Sequence, residues 1–124
     1  MDIALTITKE EVAGKVPVTV LHLHGWLDAR SEEFLLATAR EAYDAGARFL
    51  LINLAEVEAL TSAGMRALQK VYRLFTAEQE RFKIVRVKLC NAPLQVYNVL
   101  GVTGFLQNIP NYETQQSALD SFEE

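Results

Sequence analysis

Two adjacent hydroxyl residues, Thr61 and Ser62, stand at a junction between a strand-like and a helix-like segment, and the small residues Ala63 and Gly64 follow them. A hydroxyl oxygen at such a junction can accept hydrogen bonds from the backbone N–H groups that lack partners in a first helical turn. Glycine in a first turn costs about 1 kcal/mol of helix propensity relative to alanine. Gly64 therefore indicates that another part of the chain comes close to this turn.

Ser62 could also act as a nucleophile, which a serine hydrolase would activate with a histidine. The sequence has two histidines, His22 and His24, and the Gly-x-Ser-x-Gly elbow of many hydrolases does not surround Ser62. The sequence therefore gives no support for a hydrolase, and we expect the protein not to be an enzyme.

The two histidines alternate along a strand-like segment and, together with Asp28, could form a metal site of the histidine-plus-carboxylate kind. Histidines two residues apart are also common on a half-exposed face of a sheet, and this is the interpretation that we favour. We therefore expect no metal ligand among them.

Cofactor-binding motifs are missing from the sequence. It contains neither the Gly-x-Gly-x-x-Gly of dinucleotide-binding folds nor the P-loop pattern that holds phosphates. The single cysteine, Cys90, cannot form an internal disulfide or a multi-cysteine zinc site. We expect no cofactor, and a buried or half-buried thiol at Cys90.

The charge balance is acidic, with 12 basic and 16 acidic residues and a formal net charge of -4 at pH 7. The sequence has no basic block, so nucleic acid is not an expected partner. The apolar run at 49–52 is much shorter than the roughly 20 residues that span a bilayer, and the N-terminus lacks the basic head of a signal peptide. We expect one domain over residues 1–124, located in the cytoplasm and not inserted in a membrane.

Apolar periodicity predicts five strands and four helices. The first strand is predicted over 3–8 and leads into a charged reversal, and the second is predicted over 16–24 and stops at Gly25. The remaining elements are a helix over 31–45 capped by Ser31, a strand over 49–54 with a loop over 55–61, a helix over 62–80, a strand over 82–89, a helix over 91–100, a strand over 105–109 and a helix over 112–122.

Strands that alternate with helices are typical of an α/β fold, in which right-handed crossovers join parallel strands. The first strand follows a short reversal and should be antiparallel to the second. The long helix over 62–80 is predicted to bury a stripe formed by Met65, Leu68, Tyr72 and Phe75. The sequence thus predicts a mixed five-stranded sheet, mostly parallel, with about four helices.

Three segments resemble the STAS domain family, the fold shared by sulfate transporters and anti-sigma factor antagonists. They are LHGWLD at 23–28, LINLAEV at 51–57 and LTSAGMRAL at 60–68. The order of the predicted elements also matches the family along essentially the whole chain. The resemblance implies a STAS fold for the predicted mixed sheet.

In free-standing members of this family, a junction of the type Asp-Ser-Ser-Gly or Asp-Ser-Thr-Gly is phosphorylated on its first hydroxyl residue. Ser62 matches that residue, whereas Thr61 replaces the aspartate and Ala63 replaces the second hydroxyl residue. The resemblance implies phosphorylation of Ser62, with Thr61 as the alternative. The positions that it places on the partner-binding surface are Asp28, Asn53, Thr61, Ser62, Ala63, Gly64, Met65 and Arg66.

The resemblance further implies an anti-sigma factor antagonist, which binds an anti-sigma factor while Ser62 is unmodified and releases it once Ser62 is phosphorylated. Its partners would be a serine kinase of the histidine-kinase-like ATPase type, which is itself the anti-sigma factor, and a serine phosphatase. Any ATP would belong to the kinase. Because Thr61 and Ala63 depart from the motif, a second hypothesis is an unphosphorylated STAS scaffold in a signalling or lipid-trafficking complex.

Overall fold

The computed structural model describes residues 4–123 and places five strands in one sheet, in the order β1-β2-β3-β4-β5. The strands are β1 (Thr6–Ala13), β2 (Pro17–Leu27), β3 (Leu50–Leu60), β4 (Val87–Cys90) and β5 (Asn111–Tyr112). The helices are α1 (Glu32–Asp44), α2 (Ser62–Phe75), α3 (Leu94–Val102) and α4 (Gln115–Ser121). Short 3-10 helices lie at Ala29–Ser31, Glu78–Glu80 and Phe105–Gln107.

The predicted sheet topology is confirmed. β1 is antiparallel to β2, and each of the later strands is parallel to its neighbour. Helices α1, α2 and α3 contribute Leu35, Leu68 and Leu100 to a core cluster on one face of the sheet. Leu119 of helix α4 and Phe122, which follows the helix directly, cover the other face. Because β3 lies between these two layers, its first residues are apolar on both sides.

β3 is longer than predicted, and the loop expected over 55–61 is wrong. The strand runs on to Leu60, and its pairing with β2 shifts register at two points. The first shift falls between Asn53 and Glu56 and interrupts the two-residue alternation, so that Leu54 and Val57 both enter the same core cluster. The exposed Glu56 and Glu58 complete a pattern typical of a loop.

β2 also continues beyond its predicted end. Gly25 does not stop the strand but adopts a φ of +113° beside one of the register shifts, a conformation that favours glycine. β2 therefore reaches Leu27, which lies opposite Leu60 of β3. This extension brings the ends of the two strands to the same edge of the sheet.

The bounds of the outer elements differ from the predicted ones as well. β1 runs over Thr6–Ala13, where residues 6–13 pair with residues 17–24 of β2. The second half of β1 is an exposed, mostly polar edge strand, so its sequence shows no apolar alternation. Ile3 lies outside the described residues. The fifth strand is Asn111–Tyr112, whereas Phe105 and Ile109 enter the core from a 3-10 helix and the turn that follows it. Short apolar runs of this kind do not distinguish strand from helix.

Helix α2 ends at Phe75 rather than Glu80, and its buried stripe is rotated from the predicted one. Met65 and Tyr72 are partly buried, whereas Ala67 and Val71 are fully buried. Within residues 4–123, none of the helices combines the length and the apolar character that crossing a membrane requires.

The thiol of Cys90 is buried at the end of β4, and burial raises its pKa to about 12. The thiolate is the reactive form, so a thiol with this pKa stays protonated and inert at neutral or mildly alkaline pH.

We predict that a disulfide reagent labels Cys90 in the folded protein at a small fraction of its rate in denaturant. Labelling of the folded protein at the rate of a free cysteine would contradict this placement.

Candidate functional site

The site is built where β2 and β3 end side by side. Leu27 lies opposite Leu60 in the ladder, and the N–H of Thr61 donates a hydrogen bond to the carbonyl oxygen of Leu27 at 3.1 Å. The segments that leave these two strands, at Asp28 and at Thr61, therefore emerge next to each other. In an open α/β sheet this carboxyl edge is the usual place for a functional site.

Gly64 is buried in the first turn of α2, against the backbone of β2. A Cβ atom added at this position would overlap the carbonyl oxygen of Leu27 and would lie 2.7 Å from its carbonyl carbon. The side chain of Leu60 would be 3.0 Å away. The expectation that Gly64 marks a close approach is confirmed, and the approaching group is the end of β2.

The two hydroxyl residues of the junction have different roles. Thr61 is the N-cap of α2, and its Oγ1 accepts a hydrogen bond from the N–H of Gly64 at 3.2 Å. Ser62 is the first residue of the helix and is exposed. Its hydroxyl makes no hydrogen bond to any residue in the range 4–123. The helix cap thus occupies Thr61 and leaves the hydroxyl of Ser62 available to a partner.

Asp28 lies directly after Leu27 and holds the segment beside the junction. Its Oδ1 accepts from the N–H of Arg30 at 3.0 Å, and its Oδ2 pairs with the guanidinium of Arg30 at 2.7 Å. The hydrogen bond from the Arg30 side chain lowers the pKa of the Asp28 carboxyl. The carboxylate is partly buried, and its hydrogen bonds shape the turn that follows β2.

Ser31 stands at the N-cap position of α1, as the sequence predicts, but its side chain makes no cap hydrogen bond to that helix. Its Oγ instead accepts from the N–H of Asp28 at 2.9 Å and donates to the carbonyl oxygen of Trp26 at 3.1 Å. The hydroxyl points back to the end of β2 because Asp28, the N-cap, and Ser31, the third residue, form the capping box of the 3-10 helix Ala29–Ser31.

Asn53 does not stand at the end of the central strand, and the structure does not bring it to the junction. It is buried within β3, where its Nδ2 donates to Gln115 of α4 at 2.9 Å and its Oδ1 accepts from the N–H of Ala55 at 2.9 Å. Its side chain thus lies on the face that α4 covers, opposite the face on which α2 packs. The amide supports the first register shift of β3.

Three further predicted residues line the first two turns of α2. Ala63 and Met65 are partly buried, and Met65 packs against the core. Arg66 is exposed and pairs with Glu32 of α1 at 3.3 Å. Lys70 pairs with the other oxygen of the same carboxylate at 2.9 Å. The hydrogen bond from Lys70, followed by that from Arg66, lowers the pKa of Glu32.

The family model for the STAS domain matches residues 9–118. The chain belongs to the STAS domain family. No curated protein matches the sequence significantly.

Solved structures share the fold of this STAS domain. An anti-sigma factor antagonist from Mycobacterium paratuberculosis has a TM-score of 0.80 and 22% identity, over 98% of this chain and 96% of its own. The Bacillus cell fate determinant SpoIIAA in its phosphorylated form has a TM-score of 0.66 and 20% identity, over 93% of this chain and 97% of its own. An anti-sigma factor antagonist (STAS) domain protein from Planctomyces limnophilus has a TM-score of 0.66 and 24% identity, over 90% of this chain and 93% of its own.

The histidines of the STAS domain do not converge with Asp28. His22 contacts Glu10 at 2.8 Å, and His24 lies 3.8 Å from Glu56. Among the residues that the structure describes, no group of three or more His, Cys, Asp or Glu side chains is placed to hold a metal ion.

Arg66, a predicted partner-binding residue, belongs to a set of cations beside Ser62 whose other members the sequence patterns did not single out. Arg66, Lys70 and Arg73 line one groove, which α2 forms with the segment 103–108. Their spacing of four and three residues places them on one face of the helix. That spacing is visible in the sequence, and applying the helical period to charges as well as to apolar residues would have found it.

The contact between Gly64 and Leu27 generates a stability prediction. Gly64→Ala should lower the free energy of unfolding by at least about 2 kcal/mol, because either the helix or the end of β2 must move. Gly101→Ala is the matched control, since Gly101 is also helical and an added Cβ would meet nothing within 4 Å. It should be neutral or stabilise by up to about 1 kcal/mol. Equal urea midpoints for the two variants would contradict the packing described here.

Proposed function

We propose that this STAS domain is an anti-sigma factor antagonist controlled by phosphorylation of Ser62. It binds an anti-sigma factor through the junction and the first turns of α2, and phosphate on Ser62 releases that partner. The observation that carries the proposal is the exposed, unbonded hydroxyl of Ser62 at the start of α2, beside a threonine whose oxygen already caps the helix.

The partners in this proposal are those that the resemblance to free-standing family members implies. The anti-sigma factor is a serine kinase of the histidine-kinase-like ATPase type, and a serine phosphatase removes the phosphate. ATP binds to the kinase, and the antagonist itself performs no catalysis. The proposed place of action is the cytoplasm, where sigma factors work. Support comes from structural neighbours that are named anti-sigma factor antagonists, one of which, SpoIIAA, has solved structures in a phosphorylated and an unphosphorylated form.

Position within the cap favours Ser62 over Thr61 as the modified residue. The Oγ1 of Thr61 already accepts a hydrogen bond from the N–H of Gly64, so a kinase would have to break this contact before the oxygen could attack a phosphoryl group. Phosphorylation of Ser62 removes no hydrogen bond. A phosphate there also lies near the free N–H groups and the positive end of the α2 dipole, which favour an anion.

The same phosphate opposes binding once a partner covers the junction. It adds roughly -1.5 to -2 charge units at pH 7. A charge that is buried without a partner costs several kcal/mol. A loss of about 3 kcal/mol weakens binding by more than a hundredfold, which is sufficient to release a partner.

A second candidate function is an unphosphorylated STAS scaffold in a signalling or lipid-trafficking complex. The observation that favours it is the sequence of the junction, where Thr61 replaces the motif aspartate and Ala63 replaces the second hydroxyl residue. As a scaffold, the domain would bind its partner through the same edge of the sheet without a switch at Ser62.

The two functions predict different behaviour of Ser62 variants. With a phosphorylation switch, Ser62→Ala should bind the anti-sigma factor permanently, and Ser62→Asp should bind at least about tenfold more weakly, because it places a charge in the interface. The partner can be identified by affinity capture from the native host on both variants, and its affinity for each measured by calorimetry.

Thermal unfolding provides the control for this comparison. Both variants should unfold within a few degrees of the wild type, because the Ser62 hydroxyl makes no hydrogen bond in the described part of the chain. Equal affinity of the two variants for the captured partner would refute the switch and favour the scaffold.

A further inference from the structure

One side of α2 forms a continuous concavity with the segment 103–108, here called the α2 groove. Ser62 and Arg66 lie at its first end, Lys70 and Arg73 follow, and Thr103 and Asn108 form the opposite wall. A second hollow shares Arg73 and Asn108 with the groove and extends it to Arg81. The groove therefore begins at the proposed phosphorylation site and runs along the helix.

The charge of this groove is opposite to that of the chain. The protein carries a formal net charge of -4. Arg66 and Lys70 share one carboxylate, that of Glu32. Arg73 has no ion-pair partner among residues 4–123. The wall between Ser62 and Arg73 thus holds three cations against one carboxylate, and it presents positive charge in a concave surface.

The lining of the extended groove also includes uncharged polar groups and, in the second hollow, the carboxylate of Glu78 together with the guanidinium of Arg81. Gln69 and Asn108 face both hollows. At the far end, Thr76 is nine-tenths buried, and its hydroxyl has no hydrogen-bond partner in the described structure. A groove with cations and uncharged hydrogen-bonding groups is suited to an extended ligand that carries carboxylates.

We propose that the α2 groove binds an acidic segment of the partner protein, whose carboxylates pair with Arg66, Lys70 and Arg73. The proposal rests on the function proposed above and names the chemistry of the partner. Nucleic acid is the less suitable polyanion, because the rest of the chain is acidic and would repel a long phosphate backbone.

The cations of the α2 groove would also add an electrostatic contribution to the effect of a phosphate on partner binding. Ser62 and Arg66 lie four residues apart on one helix, within reach of each other's side chains. A phosphate on Ser62 would pair with Arg66 and add negative charge at the entrance of the groove. It would compete with the partner's carboxylates for the same cation.

The test uses the intact protein, labelled with nitrogen-15, and a synthetic peptide of consecutive glutamates as the probe. At low salt, peptide-induced chemical shift changes should be confined to residues 62–73 and 103–108. Arg66→Gln together with Arg73→Gln should weaken binding by at least about tenfold, because two charge-assisted hydrogen bonds are lost. Lys9→Gln together with Arg40→Gln removes the same charge outside the groove and should weaken binding far less.

Two further arms separate the possible ligands and the two proposals. An uncharged glycine-serine peptide should cause no shifts, and a single-stranded oligothymidylate of similar length should bind more weakly than the glutamate peptide. Shifts scattered over the surface, no binding at millimolar peptide, or tighter binding of the oligonucleotide would overturn the groove proposal. Peptide binding is measured without a kinase, so its outcome does not depend on whether Ser62 is phosphorylated. Absence of phosphate on Ser62 in the native host would refute the proposed function and leave the peptide-binding result unchanged.

Discussion

The close contact between the first turn of α2 and the carbonyl of Leu27 is the constraint on which the site depends. Gly64 permits this contact because any side chain there would overlap the end of β2. The contact and the Thr61 to Leu27 hydrogen bond fix the helix start against the sheet. The orientation of Ser62 and of the cations along α2 follows from that anchoring.

The junction separates two tasks that one hydroxyl could not perform together. Thr61 satisfies the helix terminus, so Ser62 projects its oxygen without a structural role. The surrounding charge is then set by α2, where Glu32 offsets part of the positive charge of Arg66 and Lys70. In this account the unmodified surface favours acidic partners. A phosphate on the exposed Ser62 adds negative charge and disfavours the same partners.

The sequence predicted the order of elements and the parallel sheet because strands covered by helices leave a strong apolar pattern. It also predicted the close approach at Gly64. The predicted end of β3 is wrong because two register shifts break the alternation. The predicted position of Asn53 at the end of that strand is wrong for the same reason, and its amide instead bonds to Gln115. Contacts between residues so distant in the chain leave no local pattern. The cations of α2 were visible as a spacing, but their concave setting depends on the segment 103–108.

Mass spectrometry of the protein recovered from its native host is the most direct measurement of the central claim. Fragmentation of the peptide that contains the junction distinguishes phosphate on Ser62 from phosphate on Thr61. The account predicts phosphate on Ser62 in a fraction of the molecules that changes with growth conditions. A peptide that is unmodified at high coverage under every condition, or modified on Thr61 alone, would contradict it.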